Sequence, residues 1–137
     1  LFRTLQVVVP QMKKQGKGRI IVTSSISASM AESLVSSIYA TSKSTVGHMV
    51  RQYAFELAKY GILVNAISPG PVITNIGGGR LKMTESRRPF EKATPLGRIA
   101  EPSDLYGAAL FLASPASSMI TGTQIVVDGG RILGMAD

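Results

Sequence analysis

Three short runs of aliphatic, β-branched residues, each parted from the next by a stretch with helical spacing, constrain this chain more than any other feature. Arg19 to Thr23 (Arg-Ile-Ile-Val-Thr) reads as a strand buried on both faces, Ile62 to Ile67 (Ile-Leu-Val-Asn-Ala-Ile) as a second buried strand, and Gln124 to Val127 as a third short strand. Before the first run, Leu1, Leu5, Val8, Val9 and Met12 form one stripe over residues 1 to about 15. The run Lys13 to Gly18 ends that helix, and Pro10, with no amide hydrogen to donate, is expected to bend it. Before the second run, Val46, Met49, Val50, Tyr53, Ala54 and Leu57 recur at three- and four-residue steps, up to about Tyr60. Gly61 suits the left-handed position that stops such a helix. Before the third, Glu101-Pro102-Ser103-Asp104 is a helix start, with Leu105, Ala108, Ala109 and Leu112 as its buried side. This alternation predicts an α/β fold of three parallel strands with right-handed crossovers and helices on both faces of the sheet.

In such sheets ligands bind at the carboxyl ends of the strands. Those ends are Ser24-Ser25, the Ser68 to Thr74 stretch, and the turn after Asp128. A small-residue loop, Ser24 to Ser37, leaves the first of them and feeds the helix that carries Tyr39 and Lys43. Positions four apart lie one turn above each other, so the phenol and the ammonium can point into one space. A nearby cation favours phenolate over phenol, which makes Tyr39 a candidate proton donor and acceptor. Ser25 precedes Tyr39 by fourteen residues, a loop long enough to turn its hydroxyl toward the same substrate oxygen. Pro69-Gly70-Pro71-Val72-Ile73-Thr74 adds a glycine where backbone can approach a flat ligand, and a hydroxyl four residues on. Residues 74 to 98 differ from the rest: Gly77-Gly78-Gly79, cations from Arg80 to Lys92, few apolar positions, and a short helix near Glu85 to Lys92. They are expected to form a mobile substrate lid within a single domain spanning 1–137.

Composition narrows the function classes. With 137 residues, 45% of them hydrophobic, the chain can bury one ordinary core. It has no cysteine and one histidine, so disulfides, thiolate chemistry and a protein-bound metal are not expected. No apolar run approaches the roughly 18 residues of a membrane span, and Leu1-Phe2-Arg3-Thr4 lacks the features of a signal peptide. A cytoplasmic protein with no membrane partner is the expectation. The net charge of +7 invites a nucleic-acid partner, but the cations are spread out and no aromatic ladder interleaves them, so none is expected.

Taken together, the pieces resemble the short-chain dehydrogenase/reductase family. They are Gly18 to Ser25, the Tyr39-x-x-x-Lys43 pair, Gly61 to Gly70, Pro95-Leu96-Gly97-Arg98, Phe111-Leu112-Ala113-Ser114, and Thr121-Gly122 through Val127-Asp128-Gly129-Gly130, in the family's order. The resemblance implies the second half of a doubly wound, Rossmann-type fold and hydride transfer between NAD or NADP and a small-molecule alcohol or carbonyl substrate. It implies that Tyr39 is the general acid/base, and that Lys43 supports it and binds the nicotinamide ribose. It also implies that Ser25 orients the substrate oxygen, with Ser27 on the substrate side. Thr74 would hold the nicotinamide carboxamide with the backbone of Pro69, Gly70 and Val72, and Thr23 completes the implied cofactor contacts.

The glycine-rich phosphate turn, Gly-x-x-x-Gly-x-Gly after a strand, has no match here, nor does the residue that selects NAD from NADP. The asparagine of the family's catalytic set is expected upstream of Leu1. The chain by itself is therefore expected neither to bind dinucleotide tightly nor to catalyse. An unpaired apolar edge at Arg19 to Thr23 would favour a homo-oligomer, a dimer or tetramer. A second reading, from another class, is a non-catalytic truncated paralogue that dimerises through the helices of residues 1 to 15 and 38 to 60.

Overall fold

In a computed structural model the chain is described over residues 1–31 and 35–134. Residues 32–34 of the expected Ser24 to Ser37 loop, and 135–137 of the expected domain, lie outside the described residues. Helix α1 spans Phe2–Gln15, with Pro10 inside it, and ends on Gly16 in the left-handed conformation. Strand β1 is Gly18–Thr23, helix α2 Ser37–Leu57, strand β2 Ile62–Pro69, helix α3 Thr84–Lys92, helix α4 Tyr106–Ala113 and strand β3 Gln124–Val127. The three strands form one parallel sheet in the order β1-β2-β3, paired from Gly18↔Ile62 to Thr23↔Ile67 and from Ala66↔Gln124 to Pro69↔Val127.

Alternation along the strands sorts the core. Ile20 and Val22 of β1 share a face with Ile62, Val64 and Ala66 of β2, and there they meet Leu5 of α1 and Val50, Ala54 and Leu57 of α2. Arg19 points to the other face, where its guanidinium donates to Leu112 O at 3.3 Å and Ser117 Oγ at 2.9 Å. That staples the end of α4 beneath β1, on the side away from α1 and α2. The helices thus lie on both faces, as the alternating pattern requires.

The expectation that β1 is buried on both faces does not hold. Ile21 is 36% exposed and Thr23 is exposed, because β1 is an edge strand, paired with β2 on one side alone in the described sheet. Central β2 is the buried strand, with Ile62, Val64 and Ala66 buried on one face and Asn65 and Ile67 on the other, Leu63 being only partly covered. It also runs on through Pro69, beyond the expected end at Ile67. The Ala66 and Gly70 amides donate toward β3, so the nitrogen of Pro69 faces the β1 side. On that side the last bond of the ladder is Ser24 N–H to Ile67 O at 2.8 Å, and the missing amide hydrogen of Pro69 lets the pairing stop there.

Two turns position the helices. Ser36 Oγ accepts the Tyr39 amide at 3.3 Å and so caps α2 at the residue before its first turn. At the far end Gly61 adopts φ 68°, and a Cβ there would run into the Gly16 carbonyl, so the connections after α1 and α2 can cross in contact. The excursion after β2 is pinned at its base. Val72 bridges Ala100 in parallel, with Ile73 N–H on Ala100 O at 2.9 Å and Ala100 N–H on Pro71 O at 3.0 Å. Between these points lie a 3-10 segment, Ile76–Lys82, and α3.

Candidate active site

The carboxyl edge of β1 gathers the first group of expected residues. Thr23 ends the strand, and its carbonyl accepts the Lys43 ammonium at 3.3 Å, holding that side chain against the edge. Lys43 Nζ lies 5.7 Å from the centroid of the Tyr39 ring, one helical turn back. Tyr39 is 43% exposed, so its side chain is not enclosed by the core. An ammonium has three donors, and two remain after the bond to Thr23. Ser25 is buried and caps the short Ile26–Ala28 turn: its Oγ accepts the Ser27 amide at 3.2 Å and donates to Ser27 Oγ at 3.2 Å. Neighbouring Ser24 has a buried hydroxyl with no hydrogen-bond partner among the described residues.

The second group follows β2. The pairing of Thr23 with Ile67 places Pro69 and Gly70 just past the end of β1. Pro69 is buried, and the Gly70 amide donates to Val127 O at 3.0 Å. A Cβ on Gly70 would come within 2.9 Å of Asp128 Cβ, so this position needs glycine for close approach rather than for an unusual φ. Val72 belongs to the bridge at the base of the excursion. Thr74 Oγ1 accepts the Ile76 amide at 3.2 Å, which leaves its hydroxyl hydrogen to donate elsewhere.

Several residues that organise this edge were not among the sequence candidates. Buried Asp128 accepts the Gly130 amide at 2.8 Å and the Ile132 amide at 2.7 Å, fixing the turn after β3 on which Gly70 rests. Arg98 holds Asp104 with two bonds of 2.7 and 2.9 Å, beside a pocket of about 190 Å³ that also includes Val127 and Asp128. That bond, with a further one from the Glu101 amide, lowers the Asp104 carboxyl to a pKa of about 2. The capping spacing of Glu101 and Asp104 is visible in the chain; the Arg98 contact is not.

The donor set fits one end of a nicotinamide dinucleotide. Two free Lys43 donors and the hydroxyls of Tyr39 and Thr74 suit sugar hydroxyls and a carboxamide, which are neutral and need few charges. A pyrophosphate instead needs a glycine-rich turn feeding a helix N-terminus, and the sequence has no Gly-x-x-x-Gly-x-Gly.

A family model described as enoyl-(acyl carrier protein) reductase matches residues 1–131. The chain is 37% identical over 134 residues to L-rhamnose-1-dehydrogenase of Scheffersomyces stipitis, covering 98% of this chain and 52% of that protein. It is 37% identical over 134 residues to 7alpha-hydroxysteroid dehydrogenase of Escherichia coli, covering 96% of this chain and 51% of the relative. Among solved structures, a gluconate 5-dehydrogenase from Burkholderia cenocepacia, in complex with NADP and tartrate, superposes with a TM-score of 0.88 at 32% identity. That match covers 95% of this chain and 51% of the other. The chain therefore spans about half the length of the curated relatives it matches.

Proposed function

The chain belongs to the short-chain dehydrogenase/reductase family, and from that premise we propose that it supplies the acid–base part of an NAD(P)-dependent oxidoreductase acting on a small-molecule alcohol or its carbonyl counterpart. One observation carries the reading: Lys43 is tied to the Thr23 carbonyl at 3.3 Å and lies 5.7 Å from the Tyr39 ring, at the edge where parallel sheets bind ligands. When bound, NAD or NADP supplies the acceptor or donor of the hydride.

The residues of this chain do the rest. Tyr39 takes the alcohol proton as the substrate carbon is oxidised, and returns it to the carbonyl oxygen in the reverse direction. Lys43 places a positive charge beside the ring, opposite in sign to the charge on the phenol oxygen once its proton has left. Its two remaining donors are available to ribose hydroxyls. Ser25 orients the substrate oxygen, giving up its bond to Ser27 Oγ to do so, and Ser27 lines the substrate side. Thr74 and the backbone of Pro69, Gly70 and Val72 hold the carboxamide, and Thr23 sets the height of Lys43. Present in this chain are the pieces that the resemblance assigns to the second half of the fold.

Residues 74–98 act as the substrate lid. They leave and return at one bridge, and they carry exposed apolar side chains, Ile76 at 83%, Met83 at 57% and Leu96 at 70%, that closure over a ligand would cover. Exposed Phe2 and Val7 on α1, with Ile38 and Phe55 on α2, support a homo-oligomer built on those helices. Among the described residues no helix is long and apolar enough to cross a membrane; a cytoplasmic setting, where nicotinamide dinucleotides are plentiful, goes with the proposed chemistry.

Binding of NADH and NADPH, followed by the fluorescence of the reduced nicotinamide in the protein containing this chain, tests the assignment. Lys43→Met should weaken binding by about tenfold, the loss expected for a charged hydrogen bond. Unchanged affinity would remove Lys43 from the cofactor site.

A further inference from the structure

Helix α2 carries a third residue on the stripe of Tyr39 and Lys43. Gly47 follows Lys43 by four positions and is buried. Its lack of a side chain has a visible cause: a Cβ there would lie 3.0 Å from Gln124 Nε2 and 3.2 Å from Gln124 Oε1. Gln124 opens β3, and its Oε1 accepts the Ser68 hydroxyl at 3.0 Å. Ser68 is itself buried and directly precedes Pro69 and Gly70. Two turns further along α2, a Cβ on Gly122 would sit 3.4 Å from Ala54 Cβ. The helix thus rests on the Gly122–Gln124 segment through residues with almost no side chain. One long side chain, Gln124, fills the space between helix and sheet. A Cβ at that distance obliges its neighbour to give by a few tenths of an ångström, and the neighbour is the Gln124 amide that the Ser68 hydroxyl already holds.

We propose that Gln124 is a positioning residue which, seated under Gly47 and tied to Ser68, sets the height of α2 over the sheet and so the placement of Tyr39 and Lys43 at its edge. The proposal rests on the reading of that pair as the acid–base centre. It adds a residue on the third strand, far from both in the chain, that determines where they stand.

The test uses 3-fluorotyrosine, with the Tyr39 resonance assigned by Tyr39→Phe and the Tyr106 resonance on α4 as an internal reference. Gly47→Ala should press the new methyl on the Gln124 amide and lift the helix. Position 47 is about 12 Å along the axis from Tyr39, too far for a methyl to act directly, so a shift of the Tyr39 resonance reports movement of α2. The expected result is a shift larger than the linewidth at Tyr39 and none at Tyr106. Adding Gln124→Ala should return the resonance toward that of the parent by clearing the space. Turnover should fall on the order of tenfold in Gly47→Ala and recover in the double variant, since small misplacements of reacting groups are costly. If Gly47→Ala does not fold, Gln124→Asn, one methylene shorter, withdraws the amide and must shift the same resonance. A thermal midpoint that moves while the Tyr39 resonance stays fixed overturns the proposal. A resonance that moves as described, in a protein whose turnover does not depend on Tyr39, leaves the seat intact and overturns the acid–base reading instead.

Discussion

Arg98 and Asp104 show what one residue pair does for its element. The two-pronged bond joins Arg98, the last residue of the excursion 74–98, to the start of the turn Pro102–Leu105, and Asp104 Oδ2 also accepts the Glu101 amide at 2.8 Å. The carboxyl, at 3.8 when unperturbed, is lowered to about 2, chiefly by the Arg98 bond. A carboxyl lowered on folding stabilises the folded state in its ionised form. That stabilisation is complete above about 3.8 and is lost as the pH falls toward about 2. The parent should therefore melt above Asp104→Asn at neutral pH, and the gap between their thermal midpoints should close across that acidic window. A gap independent of pH would show that the pair acts by shape alone. Other residues of this kind could not be read from the chain. Buried Asn65 donates to Ile120 O at 2.8 Å and accepts the Thr123 amide at 3.1 Å, but those partners lie more than fifty positions away. Tyr39 and Lys43 were legible because their relation is local, one helical turn, whereas Gln124 meets Gly47 and Ser68 only after the sheet has formed.

Among the elements, the ones with strong local patterns were legible nearly to the residue. Gln124–Val127 forms as expected, and the Gly61 stop after the long helix takes the left-handed conformation. The burial of β1 was not legible, because Arg-Ile-Ile-Val-Thr reads alike at the centre or the edge of a sheet, and only strand order decides between them. The helix within the excursion was anticipated near Glu85 to Lys92 and spans Thr84–Lys92. The bridge between Val72 and Ala100 was not, since it joins single residues across the whole excursion. That bridge gives the proposed lid a fixed base, while Gly77, Gly78 and Gly79 at φ 63°, 73° and 73° form a bend with almost no side-chain anchorage. Hydrogen exchange should therefore be fast over residues 76–83 without ligand and slow when cofactor and substrate are present, with β2 amides protected throughout. Protection at 76–83 equal to that of β2 in the ligand-free protein would rule out a lid.

For the molecule as a whole, the sheet brings the ends of all three strands to one edge, and Tyr39 and Lys43 reach that edge because α2 starts where β1 ends. The family and the α/β architecture follow from motifs in order and from the 0.88 superposition, whereas the chain covers only about half of its relatives. Under the proposed function, this chain holds the neutral, nicotinamide-facing part of a site together with the groups that move a proton. The most direct measurement of that claim is steady-state turnover of the active protein containing this chain, parent against Tyr39→Phe, with thermal midpoints recorded for both. Phenylalanine keeps the ring and its neighbours while removing the proton route. Turnover should therefore fall by about 10² or more, with the midpoint unchanged. Turnover within a few-fold of the parent's would contradict the account.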